Sequence, residues 1–294
     1  MRETVKGSPV VVSIGIPVFN SSETIRRALE SVVTQSYRNL DIIISDNFSS
    51  DGTYEICKEF SLIDSRIRLY KQNINIGGEK NFEFTLNKAQ GKYFMWFAGD
   101  DVRSQNFIEV NLEALEQNQN FIASTSPDLF DNQDINVVSP SSSSLSGTVI
   151  GRFREFFSVS YRSHGLFYSL IRTETLRKCN FIEESFFAWD WAIVLFLASQ
   201  GEIHRANKGL ATFGVNGLSA TKKIYVNYNL RGFRRVFPFM DFNFRIMGLV
   251  SNFSLQERIM IFTMLAKLNG LNLIHEFRAI RYFASSVKSK FSKW

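Results

Sequence analysis

The sequence predicts an α/β fold: a doubly wound, largely parallel sheet flanked by helices, with a helical extension at the C-terminus. Short β-branched runs, apolar on both faces, alternate over the first 125 residues with stretches whose apolar positions recur at helical spacing. The β-α-β unit they form repeats along the segment, and such sheets bind ligands beyond the carboxyl ends of their strands. Val10–Ile16 and Asp41–Ser45 read as the first two strands. Between them Ile25, Leu29, Val32 and Val33 mark one helix face, and Asn20 followed by Glu23 predicts a capping box at its start. Asp51–Phe60 reads as a helix, Ile67–Tyr70 as a strand, Glu79–Ala89 as a helix and Tyr93–Phe97 as a buried strand. A helix over Gln105–Gln117 and a strand at Phe121–Ser124 follow. Pro140–Gly147 is Ser-rich and reads as a loop or hinge. Beyond it, Gly151–Ser158 reads as a helix, Gly165–Ile171 as extended, Thr173–Cys179 as a helix and Phe187–Ala198 as an apolar buried helix.

A chain of 294 residues with 45% hydrophobic and 21% charged residues has the makings of a sizeable core, which excludes wholesale disorder. Cys57 and Cys179 are too few for a disulfide framework, and a reducing compartment is the expectation. No apolar run approaches the roughly 20 residues that cross a bilayer, and the N-terminus has no apolar leader. The formal charge of +6 is uneven: residues 225–294 carry eleven Lys and Arg against three acids, a net +8, so the rest carries −2. An anionic surface partner is expected for that last section alone.

Polar clusters follow three of the predicted strands: Pro17-Val-Phe-Asn20, Asp46-Asn-Phe-Ser-Ser-Asp-Gly-Thr53 and Ala98-Gly-Asp-Asp101. Strand ends of one sheet share one crevice, so these clusters converge. Adjacent acids after a buried strand repel each other unless a cation lies between them, and Mg²⁺ or Mn²⁺ prefers carboxylate and phosphate oxygens. The competing reading makes Asp100 and Asp101 caps of the next helix.

From Val10 to about Phe130 the chain resembles the inverting glycosyltransferases of family 2, which have the GT-A fold. The resemblance rests on Ile16-Pro-Val-Phe-Asn20, Ser31-Val-Val-Thr-Gln-Ser-Tyr37, Asp46 to Thr53, Asn75-Ile-Gly77 and Gly91 to Asp101, in that order. It implies a nucleotide-sugar donor, with a UDP-sugar favoured, a bound Mn²⁺ or Mg²⁺, and transfer of one sugar with inversion to a hydroxyl of a glycan or lipid-linked acceptor. Cell-surface polysaccharide biosynthesis is the implied setting. By position, Pro17, Phe19 and Asn20 would line the nucleobase and ribose pocket, with Asp46 and Asn47 at the base. Many relatives have a second acid where Asn47 stands. Asn75 and Gly77 would border the donor, and Lys80 would reach a phosphate or stay solvated. Asp101 is the expected direct metal ligand and Asp100 a contact to ribose or metal; some relatives carry a further Asp where this chain has Ala98. In Phe187-Ala-Trp-Asp190-Trp, Asp190 is the expected general base, with helix capping as its alternative role and Glu183 and Glu184 as lesser candidates. Phe213 to Ser219 resembles a segment in which Gly214 and Asn216 replace Arg and His, so Asn216 is a possible metal or diphosphate contact. His164 is a possible acceptor-side residue.

On this reading residues 8–221 form the GT-A domain, with a nucleotide half at 8–130 and an acceptor half at 147–221. Residues 222–294 form a basic, aromatic-rich helical extension, with helices broken at Pro238 and Gly270. These helices either pack on the domain or lie on anionic lipid, which would make the protein peripheral on the cytoplasmic face of a membrane. Two rival readings are an inactive relative that scaffolds a biosynthetic complex and a nucleic-acid-binding protein. The latter rests on charge and interleaved aromatics only, so no nucleic-acid partner is expected.

Overall fold

The computed structural model describes residues 12–132, 143–158, 164–215, 228 and 233–270. Five strands and four helices come first: β1 (Val12–Val18), α1 (Ile25–Val33), β2 (Leu40–Asp46), α2 (Thr53–Ile63), β3 (Ile67–Lys71), α3 (Gly78–Lys88), β4 (Tyr93–Trp96), the short β5 (Val102–Arg103) and α4 (Phe107–Gln117). Then come β6 (Phe121–Thr125), β7 (Asp128–Phe130), α5 (Val149–Ser158), β8 (Leu170–Arg172), α6 (Thr173–Leu176), α7 (Trp189–Gln200), β9 (Glu202–Arg205) and β10 (Ala211–Phe213). Helices over Phe233–Val236, Met240–Leu249 and 255–270 complete the described chain, with a break at Pro238.

Seven strands form one sheet in the order β3-β2-β1-β4-β8-β6-β9. β1 runs parallel to β2 and β4, β2 to β3, and β6 to β9. Alternate side chains of the central strands enter two cores on opposite faces. Ile14, Ile16, Ile42, Ile44, Tyr93, Met95 and Phe97 pack with α1, α2 and α4, whereas Ile43, Phe94 and Trp96 pack with α5, α7 and the later helices. That is why these strands read as unbroken apolar runs. Eight residues of α7 are buried, so its composition is apolar all round.

Two expectations are corrected. The capping box at Asn20 does not form: α1 starts at Ile25 without a side-chain cap, and the Asn20 amide oxygen accepts Ser50 N–H at 3.0 Å, joining two loops. Gly165–Ile171 is not extended throughout. A 3₁₀ turn at His164–Leu166 precedes β8, which runs antiparallel between β4 and β6 and so threads the later half of the chain back into the first sheet. A second sheet, β5-β10-β7, stands over the carboxyl end of β4.

The β1–β4 pairing depends on close approach at Gly91, where a Cβ would lie 2.6 Å from Ser13 N and 2.8 Å from Tyr93 O. Both obstacles are main chain and cannot rotate away. Gly91→Ala is expected to destabilise the fold by about 1–3 kcal/mol, the usual range for overpacking. An unchanged urea-unfolding midpoint would contradict this packing.

Candidate active site

The first wall of the site is the loop pair after β1 and β2. Val18 is in register with Asp46, so both loops leave the sheet at one level. Asn20 N–H donates to Ser49 Oγ (2.9 Å), Ser21 N–H to Thr53 Oγ1 (2.7 Å) and Ser22 N–H to Asp51 Oδ2 (3.0 Å). Burial pushes the Asp51 carboxyl up, but hydrogen bonds from Thr53 and Ser22 outweigh it and hold the group at about 2. Behind this web Asp46 is wholly buried. Its Oδ2 accepts Ser49 N–H at 3.1 Å, and its Oδ1 has no hydrogen-bond partner among the described residues. Pro17 is half-buried on β1, and Phe19 at the loop tip is 47% exposed. The Asn47 amide is fully engaged: it donates to Asn75 Oδ1 and Gly77 O and accepts Ile76 N–H at 2.9 Å. Asn47 therefore fixes the 75–77 turn, where Gly77 has φ +90° and any side chain would be strained.

The second wall follows β4. Asp101 is 3% exposed; its Oδ1 accepts Gly214 N–H at 3.2 Å, and its Oδ2 faces Arg103 Nη2 at 3.3 Å. The Arg103 guanidinium is buried against the rings of Phe97, Phe107 and Phe213, at 5.1, 5.3 and 4.8 Å. Burial raises the Asp101 carboxyl to about 6, with Arg103 pulling down and Asp100 pushing up. Asp100 is partly exposed; burial raises it, and Arg27 and Arg103 oppose the rise. At Gly214 a Cβ would lie 2.2 Å from Asp100 Oδ2, so the Arg expected at this position from the resemblance has no room beside this carboxylate.

The third group lies at the start of α7. Asp190, the second residue of that helix, is not its cap; Ala188 precedes the helix with φ +65°. Burial raises the Asp190 carboxyl, and His164 acts against it. His164 itself lies against Phe130 and Phe213, at ring separations of 5.2 and 5.8 Å. Tyr168 ties this group to the second wall: burial raises its phenol far above the ordinary value, and the charges of Asp101, Asp100 and Asp190 add to the rise. Tyr228 donates to Glu79 Oε1 at 2.7 Å; burial, then Glu79 and Asp190, raise its phenol.

Asp100, Asp101 and Asp190 thus all act on Tyr168, with His164 close to Asp190, and the loop after β1 that carries Phe19 and Asn20 meets the loop after β4 where Thr24 Oγ1 donates to Gly99 O at 2.9 Å. Asn216 lies outside the described residues. Arg103, Tyr168, Glu79 and Tyr228 were not anticipated from sequence. Arg103 alone left a trace there, as a cation two residues after an acid pair.

The donor set fits a divalent ion shared with a ligand. Among the described residues no cluster of three or more His, Cys, Asp or Glu could hold a metal by itself. Asp101 is occupied by Arg103 and Gly214, which leaves Asp100 as the outward carboxylate. Mg²⁺ and Mn²⁺ accept such a site when phosphate oxygens and water complete the shell.

The glycosyl transferase family 2 model matches residues 13–178, more than half of the chain. The chain belongs to that family. It is 34% identical to glycosyltransferase GlyA of Streptococcus pneumoniae over 112 residues, 38% of this chain and 16% of that protein. It is 36% identical to an uncharacterized glycosyltransferase of Rickettsia prowazekii over 110 residues, 37% of this chain and 33% of that one. The matched stretch thus spans a third or less of these relatives' own length. Among solved structures, Staphylococcus aureus TarS 1–349 in complex with UDP-GlcNAc superimposes with a TM-score of 0.57 at 15% identity, covering 86% of this chain and 79% of that one. Mannosyltransferase PcManGT from Pyrobaculum calidifontis, in complex with GDP-Man and Mn²⁺, gives 0.54 at 14% identity, covering 98% and 89%. The fold is therefore GT-A.

The Asp51 web has a pH signature. Its folded value is depressed, so the stability it adds is present above the unfolded value near 3.8 and is lost as pH falls through about 2. The group is exposed, so the effect is at most ~1 kcal/mol. Asp51→Asn is expected to remove this part of the acid dependence of the melting temperature; an identical profile in the variant would contradict the web.

Proposed function

We propose, from its membership of glycosyl transferase family 2, that this chain transfers a sugar from a nucleoside-diphosphate sugar, a UDP-sugar in our reading, to a hydroxyl of a glycan or lipid-linked acceptor. What supports this is the position of Asp46 at the end of β2 and of Asp100 just after β4, at the carboxyl edge of the sheet, with Asp100 and Asp190 both acting on Tyr168. TarS, in complex with UDP-GlcNAc, and PcManGT, in complex with GDP-Man and Mn²⁺, share the fold and so lend support. The setting we assign is polysaccharide biosynthesis on the cytoplasmic face of a membrane, with the C-terminal section as the membrane contact.

Asp46, with an oxygen to spare, takes a donor N–H of the nucleobase, and Phe19 covers its ring. Asp100 rather than Asp101 would hold Mn²⁺ or Mg²⁺, because Asp101 is engaged inside. When bound, the ion offsets the charge that builds on the departing nucleoside diphosphate. Asp190 accepts the proton of the attacking hydroxyl, for which its raised carboxyl value is suited, and attack opposite the leaving group inverts the anomeric carbon. His164 opposes the rise of that carboxyl. Tyr168 lies between base and metal-binding acid, where its phenol orients bound sugar.

Asp190→Asn should leave donor affinity intact and lower turnover about 10²- to 10⁴-fold. Single-turnover kinetics with a panel of nucleotide sugars reads this, and wild-type turnover in the variant would overturn the assignment. Gly214→Ala, whose methyl would displace the Asp100 carboxylate, should weaken metal-dependent donor binding by about tenfold and spare any metal-independent binding. Calorimetry with and without Mn²⁺ separates the two.

A further inference from the structure

The helices after Pro238 use one side for the core and leave another apolar side in water. Phe239, Phe242, Ile246, Ile261 and Leu265 are buried in the cluster that contains α7, and Phe239 stacks on Trp191 at 5.6 Å. On the helix over 255–270, however, Leu255 is 70% exposed, Ile259 56% and Phe262 61%, and Ala266 is exposed too. At about 100° per residue these four positions fall within an arc of about 60°, well away from Ile261 and Leu265. Exposed Arg258 and Lys267 fall on either side of the stripe. Glu257, the acid of this helix, is spent at its start: its carboxylate accepts N–H and O–H from Ser254 at 2.9 and 2.8 Å, and Glu257 N–H donates back to Ser254 Oγ. Phe244 on the preceding helix is 70% exposed as well.

An apolar stripe with cations on both flanks matches the interface of an anionic bilayer, where aliphatic and aromatic side chains enter the acyl boundary and Lys and Arg meet headgroups. We propose that Leu255, Ile259, Phe262 and Ala266, flanked by Arg258 and Lys267, form the face that docks on anionic lipid. The inference rests on the reading of the C-terminal section as a membrane contact and gives that contact a face. Its geometry also orients the enzyme, because the opposite side of the same helix packs on the core that carries α7, and Asp190 opens α7.

The test is co-sedimentation of the full chain with phosphatidylcholine vesicles containing or lacking 30% phosphatidylserine. Binding to the anionic vesicles alone is expected, with a loss of roughly tenfold or more in Ile259→Ser/Phe262→Ser and in Arg258→Glu. All substituted side chains are exposed, so melting temperatures should not move. A bimane label at Phe262→Cys reports the face directly, since native Cys57 and Cys179 are both buried. Its emission should shift to the blue only when anionic vesicles are added. Undiminished vesicle binding by both variants would overturn this face and leave the membrane reading standing; no binding by the wild type would sink both. Blue-shifted emission in buffer, or self-association that the Ser substitutions abolish, would assign the stripe to another part of the chain or to a second copy and overturn the proposal.

Discussion

Asp101 and Arg103 are both almost wholly buried, and their contact joins segments more than a hundred residues apart: the end of β4, the short β5 and, through Gly214 N–H, the end of β10. A lone charge of either sign in this place would be untenable, and removing one partner of such a pair typically costs about 3–5 kcal/mol. Phe97, Phe107 and Phe213 close around the guanidinium and keep water from competing for it. The second sheet is held over the strand ends in this way, and a division of labour follows. Asp101 is committed to the protein, whereas the Asp100 side chain stays partly exposed, with Gly214 clearing the space beside it. Asp101→Ala would thus disturb the site through its scaffold, whichever acid touches the ion.

The rest of the site shows the same economy, with polar groups engaged in holding loops so that a few remain available. Asn47 gives its whole amide to the 75–77 turn, and Asp51 gathers the 20–22 loop against the start of α2. What the loops leave over is specific: one oxygen of Asp46, which has no hydrogen-bond partner among the described residues, the partly exposed Asp100 carboxylate and the Asp190 carboxyl, which takes main-chain N–H groups at the start of α7. Tyr168 stands within electrostatic reach of the last two and so links the end of β4 to the start of α7.

Much of this was legible in the sequence, for identifiable reasons. Parallel strands buried on both faces need unbroken β-branched or aromatic runs, and Ile42-Ile-Ile44 and Tyr93 to Phe97 supplied them. Acids at strand ends are costly unless used, so Asp46, Asp100 and Asp101 stood out, while Asp190 was marked by the family resemblance at the start of an apolar helix. What escaped depends on contacts between distant segments. β8 is three residues long and antiparallel, and nothing in Leu170–Arg172 says that it inserts between β4 and β6. Asn20 had the spacing of a cap but was claimed by the 49–50 loop. The order of the two acids, Asp101 inward and Asp100 outward, follows from Arg103 and Gly214, which no local pattern couples. Glu79 and Tyr228, 149 residues apart, meet for the same reason.

We propose that the chain offers one outward carboxylate, Asp100, to a divalent ion whose remaining ligands come from a diphosphate. Paramagnetic resonance of free Mn²⁺ measures this most directly. Titrated with protein alone, the free-ion signal should fall little; with UDP added it should fall steeply, and Asp100→Ala should abolish that second fall. Tight Mn²⁺ binding without nucleotide, or undiminished nucleotide-dependent binding in Asp100→Ala, would contradict the account.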